Sequence, residues 1–287
     1  MARVTVIPDL ADDGGPGDLI AHLTAECPVQ VDEVTIADLR IRSQASRGTA
    51  RSMVTAFQGD GLAYHNGEWG PAVPASRSSI NAPGEPESIP VVGFALPGVV
   101  TVPRHTRAQR VTSALRAELA EAFTGISPEM IDSIPEGPDE DVRKAGRWMM
   151  LAEATGSGRR AVGVAKGVDG YGMTAVIAVE GVHRLIVDGA KPGVLAPSQA
   201  FDPAGFLDFL SPFGVTWSMR SWQLGGNNPE APRVHIALLH HTQPHASPRG
   251  AGGCQQDRRH PPAPSIHLRP RPTDQLQPEV APQPSQA

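Results

Sequence analysis

The chain has 287 residues, of which 40% are hydrophobic, with a formal net charge of −5 and an isoelectric point near 6.0. This composition suffices for a folded core, and the charge does not favour nucleic acid or an anionic membrane as a partner. No apolar run approaches the roughly 20 residues of a membrane span. The first residues lack a signal-peptide pattern, and Cys27 and Cys254 have no neighbours at metal-binding spacing. We therefore expect a cytoplasmic protein without a structural metal site.

The amino-terminal region predicts alternating strands and helices. A helix that begins after Ser46 is favoured by apolar residues at the i, i+3, i+4, i+7 spacing. Asn66-Gly67 is typical of a tight hairpin turn. In chain order, the pattern predicts a strand at 3–7, a helix at 16–26, a strand at 31–37, the helix from Ser46 to about Gly59, a hairpin at 62–69 and a strand at 88–95.

The second part of the chain is predicted to contain more helix. An apolar stripe predicts a helix at 107–124, and Asp202 followed by Pro203 predicts the start of a short one. The remaining predictions are a helix at 139–154, a strand at 160–166, a buried helix at 171–187, a strand at 215–219 and a strand at 234–239. Together these elements predict an α+β fold, with one mixed, mostly antiparallel sheet covered by helices.

Composition divides the chain into three parts. We predict a domain at 1–220, an extension of undefined attachment at 221–240, and a proline-rich tail at 241–287. The tail has no aromatic residue and too little apolar surface to offset its ordering entropy, so we expect it to be disordered. Its composition also resembles the translation of a shifted reading frame.

A glycine-rich segment follows the first predicted strand and is compared with a dinucleotide-binding turn. Gly14, Gly15, Pro16 and Gly17 precede a helix, but six residues separate them from the strand and the third glycine of the motif is missing. The nearby aspartates would repel a pyrophosphate. The segment predicts an ordinary turn into a helix.

The segment after residue 45 is the first candidate binding site. Ser46, Arg47, Gly48, Thr49 and Arg51 lie at the start of a predicted helix, where free N–H groups and two arginines favour a carboxylate or phosphate. The alternative is a helix cap with solvated arginines.

The entry to the long helix is the second candidate. Tyr171 can orient a carbonyl or donate a proton, and Thr174 can bond a polar substrate group. The alternative is structural, with Tyr171 packed at the helix start and Thr174 bonded within its helix. His105, in a basic loop beside Arg104 and Arg107, is a third candidate contact. No residue is assigned as catalytic.

The segments 163–217 and 46–50 together resemble the substrate-side portion of saccharopine dehydrogenase-like oxidoreductases, including the enoyl reductase-like branch. Gly170-Tyr171 and the turn Gly193-Val194-Leu195-Ala196-Pro197 carry most of this resemblance. It implies a small-molecule substrate, either an amino-acid conjugate or an unsaturated lipid intermediate, and NAD(P) as cofactor. We do not expect NAD(P) to bind this chain alone, because the dinucleotide motif is lacking.

Three hypotheses follow. The chain is the substrate and dimerisation domain of such an oxidoreductase; or it is a non-catalytic module that forms a homodimer or binds a separate dinucleotide-binding chain; or it is a truncated or frameshifted gene product.

Overall fold

A mixed sheet organises the chain, which a computed structural model describes over residues 4–72 and 77–224. Its strands lie in the order β11-β9-β8-β2-β7-β3-β4, and β6 pairs with both β5 and β7. Within this sheet the β2–β7 pairing is parallel and the others are antiparallel. The predicted α+β class with a mostly antiparallel sheet is confirmed.

The strands are β1 (Thr5–Val6), β2 (Val31–Asp38), β3 (Ala63–His65), β4 (Glu68–Gly70), β5 (Ser79–Ile80), β6 (Ile89–Gly93), β7 (Ala108–Arg116), β8 (Arg147–Gly156), β9 (Arg159–Val168), β10 (Gly193–Val194) and β11 (Thr216–Gln223). The helices are α1 (Gly14–Ala25), α2 (Arg47–Phe57), α3 (Gly98–Thr101), α4 (Ala117–Thr124), α5 (Pro128–Ile131), α6 (Glu140–Ala145), α7 (Gly170–Val187), α8 (Pro197–Ala200) and α9 (Pro203–Phe209).

The main core lies between one face of the sheet and the helices. Helix α1 packs on β8 and β9, where glycines permit close approach. A Cβ at Gly163 would lie 2.1 Å from Thr24 Oγ1, and one at Gly17 would lie 2.9 Å from Met150 Cε. The core side chains include Leu19, Ile20, Val34, Ile36, Val111, Trp148, Met150, Ile177, Phe206, Leu207 and Leu210. A second cluster, which includes Leu39, Ile89, Leu151 and Val164, covers the other face.

The predicted helix at 107–124 is wrong in its first half. Residues Ala108–Arg116 form β7, and only Ala117–Thr124 is helical. Strand β7 lies between β2 on one side and β3 and β6 on the other, so tertiary pairing decides its conformation. Val111, Leu115 and Leu119 match a helical stripe, but the first two occupy alternate positions on one face of a strand.

The predicted helix at 139–154 is also mostly wrong. A short helix, α6, ends before Gly146, whose extended backbone leads into β8. Strand β8 is buried from Trp148 to Ala154 because β2 and β9 flank it and both faces are covered. Strands buried on both faces give continuous apolar runs that resemble buried helices.

Several other predictions are confirmed. The hairpin turns at Asn66 and Gly67, both with positive φ, as a tight hairpin requires. The predicted strands near 31–37, 88–95, 160–166 and 215–219 and the helices near 16–26, 171–187 and 203–210 correspond to β2, β6, β9, β11, α1, α7 and α9. The predicted strand at 234–239 and the tail at 241–287 lie outside the described residues.

Candidate functional site

A pocket of about 340 Å³ opens where the start of α1 meets α7, α2 and the ends of β2 and β8. Its lining combines apolar side chains with charged and hydroxyl groups. The apolar lining residues are Met53, Phe94, Leu96, Leu115, Leu119, Phe123, Val142 and Trp148. The polar ones include Asp12, Asp13, Asp38, Arg40, Thr49, Arg143, Arg147, Tyr171 and Thr174. Such an amphipathic cavity suits a small organic molecule with one polar end.

Tyr171 joins the two segments that carry the sequence resemblance. Its hydroxyl oxygen accepts a hydrogen bond from the Ser46 backbone N–H at 2.7 Å and lies 3.1 Å from Thr49 Oγ1. Ser46 caps α2 as predicted, because its Oγ accepts from the Thr49 N–H at 3.1 Å. Two candidate sites that are 125 residues apart therefore meet at one end of the pocket.

Thr174 reaches across to the start of α1. Its hydroxyl donates to Asp12 Oδ1 at 3.1 Å and accepts from the Asp12 backbone N–H at 3.1 Å. The alternative in which Thr174 bonds within its own helix is not observed. This reciprocal pair fixes the entry of α1 against α7 and places the Asp12 carboxylate at the pocket wall.

Arg40, which is half-buried, contacts two carboxylates of the pocket. Arg40 donates to Asp38 Oδ2 at 2.7 Å from Nε and contacts Asp12 Oδ2 at 3.2 Å from Nη1. Burial raises the pKa of Asp38, although the charge of Arg40 opposes this. The charge of Arg40 also lowers the pKa of Asp13, but burial and the charge of Asp12 outweigh it.

Asp13 is a pocket carboxyl whose surroundings favour its neutral, protonated form. Burial, followed by the charge of Asp12, raises the pKa of Asp13 from 3.8 to about 6. Its Oδ1 accepts from the Gly14 backbone N–H at 2.7 Å and so caps α1. A carboxyl with a pKa near 6 in a pocket can exchange a proton with a ligand at physiological pH.

The predicted anion site is only partly assembled. Arg47 Nε donates to the Ile134 carbonyl at 2.8 Å, and Arg51 pairs with Asp132 at 2.8 Å. Arg47 is half-buried, whereas Arg51 and Asp132 are exposed, as the alternative of a helix cap with solvated arginines describes for Arg51. Arg47, Gly48 and Arg51 do not line the pocket, whereas Thr49 does.

His105 does not lie exposed in a loop, contrary to expectation. Its side chain is 5% exposed, and Nε2 bonds Asp18 Oδ2 at 2.8 Å. His105 Nδ1 lies 3.0 Å from His22 Nδ1, and Ser198 N–H donates to the other Asp18 oxygen at 2.8 Å. Burial alone would raise the pKa of Asp18, but hydrogen bonds from His105 and Ser198 and the charge of His105 lower it. This cluster is not part of the pocket lining.

Sequence reasoning missed the charged part of the pocket. In the sequence, Asp12 and Asp13 are recognisable only as charges that repel a pyrophosphate, and Arg40 belongs to no motif. The available signal was the pair Asp38 and Arg40 at the end of a strand, since an acid and a base two residues apart lie on the same face.

No family model and no curated protein matches this chain. In the described ranges, no helix has the length and apolar character that a membrane crossing requires. Over the same residues, no three His, Cys, Asp or Glu side chains are grouped so as to hold a metal ion.

Proposed function

We propose that this chain is the substrate-binding domain of a saccharopine dehydrogenase-like oxidoreductase and that the pocket beside Tyr171 holds the substrate. The observation that carries the proposal is the contact between Tyr171 and the Ser46–Thr49 segment. Both belong to segments that carry the family resemblance, and Thr49 and Tyr171 line the same pocket. A purely structural role for each motif would not require a cavity between them.

The lining supports a substrate with a polar group and an apolar body. The apolar wall removes the body of the substrate from water, while Tyr171 and Thr49 offer hydroxyl groups to its polar end. Asp13, with its pKa near 6, is the group we assign to proton exchange with the bound molecule. Arg40 holds Asp12 and Asp38 in place as a positioning residue.

The described residues do not fit NAD(P) at the glycine segment. Gly14, Gly15 and Gly17 lie inside α1 and are buried. A Cβ at Gly14 would lie 2.0 Å from the Asp9 carbonyl oxygen, and the Asp13 carboxylate occupies the helix N-terminus. The free N–H groups that a pyrophosphate requires are therefore enclosed. We assign the cofactor to a separate dinucleotide-binding chain or domain.

An apolar surface supports the need for such a partner. On α7, Val179 and Ile186 are 70% and 77% exposed, and Val182 and Val187 are also exposed. The strands β1 and β10 form a two-stranded parallel sheet, with exposed valines at Val6 and Val194. Parallel sheets are normally covered on both faces, so this pair favours a covering partner.

The same surface supports a second candidate function, a non-catalytic module that forms homodimers. Sedimentation equilibrium at increasing concentration distinguishes the two. We expect a monomer if the surface is reserved for a dinucleotide-binding chain. A dimer that is lost in Val179→Lys/Ile186→Lys would instead support the homodimeric module.

Ligand-dependent melting tests the proposed pocket. Saccharopine and a trans-2-enoyl thioester serve as probes for the two substrate classes that the resemblance implies. We expect one of them to raise the melting temperature, because a ligand that binds only the folded state stabilises it. Leu119→Trp, which fills the pocket, should abolish the increase, whereas Met130→Trp, at an exposed position away from the pocket, should preserve it. The proposal fails if neither probe acts or if the Leu119→Trp variant still responds.

A further inference from the structure

A second pocket, of about 320 Å³, lies on the opposite face of the sheet. Leu39, Arg116 and Met149 line it, whereas Asp38, Leu115 and Trp148 line the first pocket. Consecutive residues of a strand direct their side chains to opposite faces, so the pockets lie back to back across the sheet. Trp148 and Arg147, at the start of β8, border both.

The floor of this second pocket is one row of residues across five strands or strand ends. Thr216 pairs with Lys166, and Lys166 pairs with Met149. The Leu39 N–H donates to the Met149 carbonyl. Asp38 pairs with Leu115 in the parallel pairing of β2 and β7. The residues that follow them, Leu39 and Arg116, are therefore neighbours in the row. The row therefore has a cation on each side of the apolar pair Leu39 and Met149, with the two cationic residues about 14 Å apart at the backbone.

Arg116 is a half-buried cation with few partners. Its side chain is 15% exposed, and within the described residues its guanidinium makes no hydrogen bond. Its one ion contact is with Glu118 at 3.5 Å, and the Glu118 side chain is 76% exposed. The Arg116 Nε atom is enclosed without a partner, so the terminal nitrogens are the ones left for a ligand. A guanidinium removed from water without hydrogen bonds is costly, which favours a ligand that supplies acceptors.

The other charges of this pocket add to the positive potential. Lys166 is exposed and forms no ion pair with a described residue. Arg147 Nη1 donates to the carbonyl oxygens of Lys144, Ala145 and Gly146, so it contributes charge but is already bound. Glu85 is the single acidic residue among the lining side chains that the structure describes. The lining therefore carries three positive charges and one negative charge.

We propose that this second pocket binds a small organic dianion, such as a dicarboxylate, between Arg116 and Lys166. The planar fork of Arg116 suits a carboxylate, which accepts two parallel hydrogen bonds. Lys166 binds the second anionic group as a point charge, and the short apolar segment between them lies on Leu39 and Met149. The proposal does not rest on the substrate pocket, because Arg116 and Lys166, which hold the ligand, do not line that pocket.

Calorimetric titration with glutarate tests this site, with butyrate as the monoanionic comparison. We expect glutarate to bind, and butyrate to bind more weakly by about tenfold or more, because it lacks the group that Lys166 holds. Arg116→Gln should weaken glutarate binding by about tenfold or more, because it removes the guanidinium that binds the first carboxylate. Lys166→Glu should also weaken it, and this exposed position leaves the fold intact.

The matched control is Arg51→Gln, which removes one positive charge at a distant exposed ion pair. It should leave glutarate affinity unchanged. Absence of glutarate binding would overturn the proposal, as would equal losses in Arg51→Gln and Arg116→Gln, since these indicate non-specific charge attraction. Tyr171→Phe should not affect glutarate binding, so failure here is distinguishable from failure of the proposed substrate pocket.

Discussion

Helix α1 contributes to two polar clusters, and they differ in how well the surroundings stabilise the charge of the carboxylate. At its start, Asp13 lies beside Asp12 at the edge of a pocket and has a pKa raised to about 6. Five residues further along, Asp18 is buried, accepts hydrogen bonds on both carboxylate oxygens and has a lowered pKa. The first is a carboxyl that burial destabilises next to a cavity. The second is a carboxylate that the fold stabilises by direct bonds.

This contrast separates a functional role from a structural one. A carboxyl whose charged form is disfavoured beside an open pocket can exchange a proton with a ligand. The unfavourable burial of that charge lowers the free energy of unfolding. A group with every oxygen paired gains stability from its neighbours and has nothing left for a ligand. His105 illustrates the point, since its residue type suggested a substrate contact while its bonds to Asp18 and His22 are structural.

The largest expected effect is the removal of the Asp18 carboxylate. Asp18→Ala leaves His105 buried without its partner and should reduce the free energy of unfolding by about 3–5 kcal/mol, as for a broken buried ion pair. Denaturant unfolding measures this. Asp132→Ala, which breaks the exposed pair with Arg51, should cost less than about 1 kcal/mol. Equal costs would contradict the structural assignment of the Asp18 cluster.

Removing the Asp13 charge should have the opposite sign. Because the pKa of Asp13 rises from 3.8 to about 6 on folding, the folded state binds more protons between these values, and stability falls as the pH rises through this window. Asp13→Asn keeps the cap but not the charge, so it should stabilise the protein at pH 8 by up to about 3 kcal/mol. It should give no such gain at pH 3.

Unfolding at several pH values, with exposed Asp60→Asn as control, measures this difference. If Asp13→Asn destabilises the protein at pH 8, the raised pKa and the proton-exchange role of Asp13 are wrong.

The sequence predicted the hydroxyl-bearing residues of the site but not its charged residues. Ser46, Thr49, Tyr171 and Thr174 were selected from local motifs, and local bonding such as the Ser46 cap follows from the sequence alone. Asp13 and Arg40 were missed because their roles depend on contacts between α1 and the end of β2. The helix predicted over 107–124 failed for the same reason, since strand pairing with β2 is not encoded in apolar spacing.

His22 gives a smaller, pH-dependent effect. Burial, followed by the charge of His105, lowers the pKa of His22, and the 3.0 Å contact between the two Nδ1 atoms has room for one proton. The unfolded state therefore binds the extra proton more readily, and stability should fall as the pH drops below about 6.5. His22→Gln should flatten this fall in thermal melts, while exposed His183→Gln should not. If the loss of stability at acid pH is the same in His22→Gln, protonation of His22 is not its cause.

The smallest expected effects concern the link between α2 and α7. Ser46→Ala should cost about 1 kcal/mol through loss of the helix cap. Tyr171→Phe should cost a similar amount, about 1 kcal/mol, because the Ser46 N–H loses its acceptor. Denaturant unfolding of both single variants and the double variant measures their coupling. Fully additive costs would show that the two segments do not support each other.

Amide chemical shifts test most directly which of the two clusters of α1 faces a ligand. Labelled protein is titrated with saccharopine and, separately, with the enoyl thioester. We expect one probe to shift the amide signals of Asp13, Thr49, Tyr171 and Thr174 and to leave those of Asp18, His22 and His105 in place. Shifts confined to the Asp18 cluster, or the absence of any shift with both probes, would contradict the assignment of the pocket as a substrate site.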